Sequence, residues 1–362
     1  MKIVDLRLLP MTLPLKQPFV SSHETLTQRE LTVIELTDVS GLRGYGELEA
    51  FSQPFYTRET QVTARWIIKN VLESLLVNVE FDQPEDLYTK LAPVKGNHLA
   101  KAAVDSAVWD LFAKQQQRSL ADVLAKKADT TRKNVVKVGI SIGILPLEQT
   151  IRRVERAIKQ EYGRIKLKVQ GNDDLQRIAA VREYFPAIQL CVDANGSLKP
   201  ALGLAEKIDA LQLTMLEDPF SMEQHEQTAE LQAKLKTDLC YDEPIESVAD
   251  AIQAIEAHEC RVISMKTSVL GGLTPALEMV AAHKRYGFPI WCGGMVEGGL
   301  GRATNLALAS LDEFAFPGDI SETAQYYEKD YARPGFVIQH GALQVPTGSG
   351  TGVELCPGLE RI

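Results

Sequence analysis

Alternating apolar and polar residues open the chain. Residues 3–13 and 31–37 repeat at a period of two and predict strands, and Tyr45-Gly46-Glu47-Leu48-Glu49 predicts a third. The predicted loop between the first two holds Pro18, Phe19, Ser21, Ser22 and His23, with His23 an ordinary polar loop residue. A second loop, Ala50-Phe51-Ser52-Gln53-Pro54-Phe55-Tyr56, is rich in aromatics. From about Thr60 to Lys126 the period becomes helical. Trp66, Ile67, Val71, Leu72 and Leu75 form one predicted apolar face. Ala102, Ala103, Val104, Ala107, Val108, Leu111 and Phe112 form another, with Asp105 and Asp110 between. Residues 1–130 thus predict an α+β domain.

A polar bridge, Asp129 to Asn134, separates this from a different rhythm. Residues 135–144 predict a strand and 146–162 an amphipathic helix. In Arg164-Ile165-Lys166-Leu167-Lys168-Val169, the apolar residues share one face while Lys166 and Lys168 share the other. An isolated strand of this kind would turn its lysines to water. Four more strand-like runs follow, at 190–195, 215–219, 239–244 and 262–266. From Lys168, the charged positions Asp193, Glu217, Asp242 and Lys266 come at intervals of 25, 24, 25 and 24 residues. A sustained period of that length marks repeated strand–loop–helix units. Strands at 288–292 and 314–316 bring the predicted count to eight. Residues 131–330 therefore predict an α/β, (β/α)8-type barrel. The tail, 331–362, lacks a helical period and is expected to return to the first domain, which acts as a cap on the barrel.

The chain has 362 residues, 45% hydrophobic and 24% charged, enough for two domains. A formal net charge of -9 argues against a nucleic-acid surface. The five cysteines form no Cys-x-x-Cys pair, and those in apolar runs read as small buried hydrophobes in a reducing setting. Asp5 interrupts any signal-peptide core, and no run reaches the roughly 20 apolar residues of a membrane helix. A cytoplasmic location is expected.

Barrel active sites lie at the C-terminal strand ends. Asp193, Glu217 and Asp242 fall near those ends on the third, fourth and fifth barrel strands. Adjacent strands are about 4.8 Å apart, so three carboxylates at one level can converge. Each acid alone could merely cap the following helix. Three in register, flanked by lysines, point instead to a cation, and hard oxygen ligands suit Mg2+ or Mn2+. The second and sixth of eight strands stand opposite, so Lys168 and Lys266 would face one another across the mouth. A substrate carboxylate held by the metal can accept the charge of an enediolate when its α-proton leaves. Lys166 and the cation would lower the pKa of Lys168 by like-charge repulsion and fit it to act as the base.

These motifs resemble the enolase superfamily, in its muconate-lactonising subgroup, and the o-succinylbenzoate synthase / N-acylamino acid racemase family. The likeness rests on Lys166-x-Lys168, Asp193-x-Asn195, Glu217-Asp218-Pro219, Asp242-Glu243-Pro244 and Ser264-Met265-Lys266. Use of a Lys base with Mg2+ is a known trait of such sites. The resemblance implies Asp193, Glu217 and Asp242 as metal ligands, Lys168 as base and Lys166 as its partner. Lys266 becomes a second acid/base in a racemase or a stabilising cation in a synthase. Asn195 and Glu243 would support the ligands from behind. Dipeptide-epimerase relatives carry Asp-x-Asp on the eighth strand to hold an amine, where this chain has Asp319-Ile320-Ser321. The run from Gly293 through Met295 to Arg302 is similar to the family's seventh-strand loop.

The loops at 18–25 and 50–58 are expected to close over the mouth, with Phe19, Ser21, Phe51, Phe55 and Tyr56 in the pocket. Gly293, Met295, Asp319, Ile320 and Ser321 are further pocket candidates. The resemblance implies o-succinylbenzoate synthesis by syn dehydration, with N-acylamino acid racemisation as the alternative. A non-catalytic binding barrel is the remote third reading. The expected partner is a small-molecule carboxylate, with no nucleic acid or membrane and with homo-oligomerisation left open.

Overall fold

The structure, a computed structural model, describes residues 1–21 and 24–357, so Ser22 and His23 lie outside the described residues. Strands β1 (Ile3–Val20), β2 (Thr25–Asp38) and β3 (Arg43–Leu48) form an antiparallel sheet in that order. The hairpin is longer than its alternating segments predict. Phe19 pairs with Leu26 and Val20 with Thr25, so Phe19 belongs to a strand. Pro14 and Pro18 hide this extension in the sequence, and an edge strand such as β1 tolerates them.

Helices then cover the sheet. The helix Gln61–Ile67 runs through a π turn into Glu73–Leu76 and buries Ala64, Ile68, Leu72 and Leu76. That face is rotated from the predicted one: Trp66 is 58% exposed. The helix His98–Gln115 has no polar face at all, because the sheet packs on one side and the barrel on the other. Asp105 and Asp110 are both buried in it. Asp105 accepts the Thr274 hydroxyl at 2.7 Å, and Asp110 accepts the N–H groups of Tyr45 and Thr351 at 2.8 and 2.7 Å. Gly46 lets the sheet approach that helix: a Cβ there would lie 2.1 Å from the Ala103 carbonyl.

Strand β4 (Val135–Lys137) is separate from β5 (Gly139–Ile142), so the single strand predicted at 135–144 is broken at Val138. From β5, seven parallel strands curl in sequence order: β6 (Arg164–Lys168), β7 (Leu190–Asp193), β8 (Met215–Glu217), β9 (Asp238–Tyr241), β10 (Val262–Met265) and β11 (Ile290–Cys292) complete the set. The eighth position is filled by residues 314–319 without a regular ladder. Phe314 bridges to Ile290 and Gly318 to Val138, and Pro317 there has no N–H to donate. Cys191, Met215, Cys240, Val262 and Trp291 pack together beneath the site.

The tail adds β12 (Ala332–Arg333), β13 (Ala342–Gln344) and β14 (Glu354–Leu355); β13 pairs with β4 and β12 with β14. It also touches the N-terminal helices, where Leu120 N–H bonds the Gly350 carbonyl at 2.6 Å. All five cysteines are free thiols. No helix among the described residues is long and apolar enough to cross a membrane.

Candidate active site

Strand β6 directs Arg164, Lys166 and Lys168 inward while Ile165 and Leu167 join the surrounding core. Pairing sets Lys168 level with Asp193, and Asp193 level with Glu217. The chain turns sharply after two of these acids. Asn195 and Asp218 each adopt a φ of 42°, a region that Asn and Asp enter more readily than most residues.

Those turns aim side chains sideways. The Lys168 ammonium donates to Asp193 Oδ2 at 2.6 Å and to Asn195 Oδ1 at 2.9 Å. Asn195 in turn donates its Nδ2 to Glu243 Oε1 at 2.6 Å. Lys166 Nζ lies 2.6 Å from Asp319 Oδ2, 3.1 Å from both oxygens of Glu217 and 3.3 Å from Asp193 Oδ2. Lys166 and Lys168 share Asp193 as a counter-ion. Lys266, the residue that follows β10, donates to Asp242 and to the Tyr56 hydroxyl, and its ammonium lies 4.5 Å from the Tyr56 ring centre. Strands β6 and β10 are four positions apart in the ring, so these cations come from opposite walls.

Burial sets the electrostatics. It pushes Glu217 well above the usual carboxylate range, and Asp193 adds to the effect. Asp218 is pushed up by burial, then by Glu243 and Asp242. At Asp193 burial is outweighed by Lys168 and Lys166, which hold that acid below its usual range. Lys266 does the same for Asp242. Burial opposes the charge of Lys166, but Asp319, Glu217 and Asp193 overcome it and keep an ammonium there.

A divalent cation fits this chemistry. Six carboxyl groups (Asp193, Glu217, Asp218, Asp242, Glu243, Asp319) meet four cations (Arg164, Lys166, Lys168, Lys266), an excess of two negative charges when all are ionised. Oxygens of Glu217, Asp218 and Asp242 lie within 4.8 Å of one another. The sequence named Asp193 where this trio has Asp218. Asp218 accepts the backbone N–H groups of Asp242 and Glu243 at 3.1 and 3.0 Å, whereas Asp193 is engaged by the two lysines.

A partly enclosed cavity lies above these groups. Phe19, Ser21, Phe51, Phe55, Tyr56, Met295 and Asp319 line it, with Lys166, Lys168 and Lys266 at its base. Gly293, Ile320 and Ser321 do not line it. Ile320 is fully buried and Ser321 nearly so, and Gly293 packs beneath Lys266, where a Cβ would lie 2.9 Å from the lysine Cγ. Gly294 takes the wall position instead. Sequence reading missed Leu26, Ser141, Val296 and Tyr326, which carry no local signal of a site. It also missed Arg164, which one more step of the strand's period would have placed inside.

Fold and site define an enolase-type barrel under an α+β cap. The chain belongs to the mandelate racemase / muconate lactonizing enzyme family of the enolase superfamily. Residues 3–125 match the family model described as "Mandelate racemase / muconate lactonizing enzyme, N-terminal domain", and residues 149–358 that described as "Enolase C-terminal domain-like". An o-succinylbenzoate synthase of Bacillus subtilis is 40% identical over 99% of this chain and 96% of its own. An N-succinylamino acid racemase of Thermus thermophilus is 37% identical over 100% and 97%. A solved enolase-superfamily member from Listeria innocua superposes with a TM-score of 0.92 at 41% identity, covering 98% of this chain and 95% of that one.

Proposed function

We propose that this chain is an o-succinylbenzoate synthase, which removes water from 2-succinyl-6-hydroxy-2,4-cyclohexadiene-1-carboxylate to give 2-succinylbenzoate for menaquinone synthesis. The observation that carries this reading is Lys168, anchored by Asp193 and Asn195 at the base of an aromatic-walled cavity, with Lys266 on the opposite wall. The name of the Bacillus relative, over nearly the whole of both chains, supports it. Asp193, Glu217 and Asp242 would hold the divalent cation, Mg2+ with Mn2+ able to replace it, which supplies positive charge beside the substrate carboxylate. Asn195 and Glu243 would steady that set through their mutual hydrogen bond.

Lys168 takes the proton α to the carboxylate. It then returns a proton to the hydroxyl departing from the same face, so one C=C bond forms and one water leaves. Lys266 stabilises developing negative charge from the other face. Phe19, Phe51, Phe55 and Tyr56 exclude water and receive the apolar ring. Asp319, bound to Arg164 and Lys166, is not free to hold a substrate amine, which separates the site from a dipeptide epimerase. Reduced cysteines agree with a cytoplasmic enzyme.

The two lysines on opposite walls favour a second reading, N-succinylamino acid racemase, which needs an acid/base on each face of the α-carbon. Assay of the purified protein with both substrates tests the choice. Dehydration far faster than racemisation supports the synthase, the reverse ratio supports the racemase, and inactivity with both leaves the binding-barrel reading.

A further inference from the structure

Arg164, Lys166 and Asp319 form a buried chain of charges that runs from the cavity floor, formed in part by Lys166 and Asp319, to Arg164 behind it. Both oxygens of Asp319 are occupied. Oδ1 accepts Arg164 Nη2 at 2.6 Å and Oδ2 meets Lys166 Nζ at 2.6 Å. Arg164 is itself immobilised: its side chain is 0% exposed, its Nε donates to the Pro317 carbonyl at 2.8 Å, and its guanidinium stacks 4.1 Å from the centre of the Trp291 ring. Lys166 also faces that indole, at 5.0 Å. The Asp319 backbone is pinned to the Cys292 carbonyl by an N–H bond of 3.0 Å. Of the contacts to Lys166, that with Asp319 is the shortest, against 3.1 Å to Glu217 and 3.3 Å to Asp193.

We propose that Arg164 and Asp319 are positioning residues that draw the Lys166 ammonium toward the eighth barrel position, weakening its hold on Glu217 and Asp193, where the cation would bind. A lysine ammonium on its flexible stem goes where carboxylates compete most strongly for it. Without the pull of Asp319, it would close further on Glu217 and Asp193, already 3.1 and 3.3 Å away, and compete more strongly with a metal ion for the same oxygens. Arg164 aims Asp319 and touches neither cation nor substrate. The inference uses the proposed function only for its kinetic readout.

The test is calorimetric titration of the metal-free protein with Mg2+, joined to steady-state kinetics on the better of the two substrates. Asp319→Asn should weaken Mg2+ binding about 10- to 100-fold, the usual effect of removing a residue that orients ligands. It should lower kcat with KM within about twofold, since Asp319 is already engaged by the protein. That variant also loses a negative charge, so Arg164→Met is the decisive arm. Loss of a positive charge by itself would tighten Mg2+ binding, whereas loss of positioning weakens it. Where Arg164→Met does not fold, Arg164→Lys keeps the charge and should still weaken binding. Mg2+ affinity unchanged or increased in the folded Arg164 variants overturns the proposal, as does an Asp319→Asn effect confined to KM. Wild-type inactivity on both substrates would remove the functional reading while the titration still judges the positioning.

Discussion

The Lys168 ammonium lies 2.6 Å from Asp193 Oδ2, so the proposed base and a proposed metal ligand form one ion pair. A cation bound by Asp193 competes with that pair and leaves Lys168 to the substrate. Chelation should therefore abolish turnover, and Mg2+ or Mn2+ should restore it. Asp193→Asn, Glu217→Gln and Asp242→Asn should each lose turnover while keeping a folded circular-dichroism spectrum. Full activity after exhaustive chelation would contradict the metal assignment.

Tyr56 crosses from the cap to the barrel, where its hydroxyl meets Lys266 and lies 3.1 Å from Asp242 Oδ2. Tyr56→Phe keeps the ring over the ammonium and removes only the hydroxyl. A hydrogen bond to a charged group is worth about 1.5–3 kcal/mol, so kcat/KM should fall roughly 10- to 100-fold. The melting temperature should stay close to that of wild type. Unchanged kcat/KM would mean that the cap takes no part in setting Lys266.

Asp105 offers a test away from the chemistry. Burial pushes its carboxyl from the ordinary 3.8 up to about 7, against the opposing hydrogen bonds from Thr274. The native state therefore binds a proton that the unfolded chain has already released between about pH 4 and 7. The stability this contributes is complete below the unfolded pKa and is lost as pH rises through about 7. Glu47, raised to about 7 mainly by burial, acts in the same direction. Melting temperature should fall from pH 5 to about 7.5, and less steeply in Asp105→Asn. Equal slopes would show that Asp105 titrates normally.

The charged row was legible because strand alternation and a period near 25 residues are local properties of the sequence. They located Lys166, Lys168, Asp193, Glu217, Asp242 and Lys266 without any knowledge of how the strands meet. What stayed hidden depends on contacts between distant segments. Arg164 and Asp319 are 155 residues apart, and only closure of the barrel shows that they pair. Helix His98–Gln115 shows the same limit. Its two aspartates interrupt the apolar face in sequence, and only Thr274 of the barrel, Tyr45 of β3 and Thr351 of the tail show what they bond. The irregular eighth position and the break at Val138 follow from pairing with the tail and with Gly318, which alternation does not encode.

Opposed lysines should separate in function. Lys266→Ala should lower dehydration about 100- to 1000-fold, the usual effect of losing one stabilising contact to developing charge. In racemisation it should stop inversion while leaving exchange of one enantiomer's α-proton.

The most direct measurement is NMR detection of α-proton exchange with solvent deuterium, using each enantiomer of N-succinylphenylglycine and the wild-type, Lys168→Ala and Lys266→Ala proteins. Lys168→Ala should lose exchange of the enantiomer whose proton faces β6, together with all dehydration. Lys266→Ala should retain that exchange. Persistence of the exchange at the wild-type rate in Lys168→Ala would contradict the assignment of Lys168 as the base.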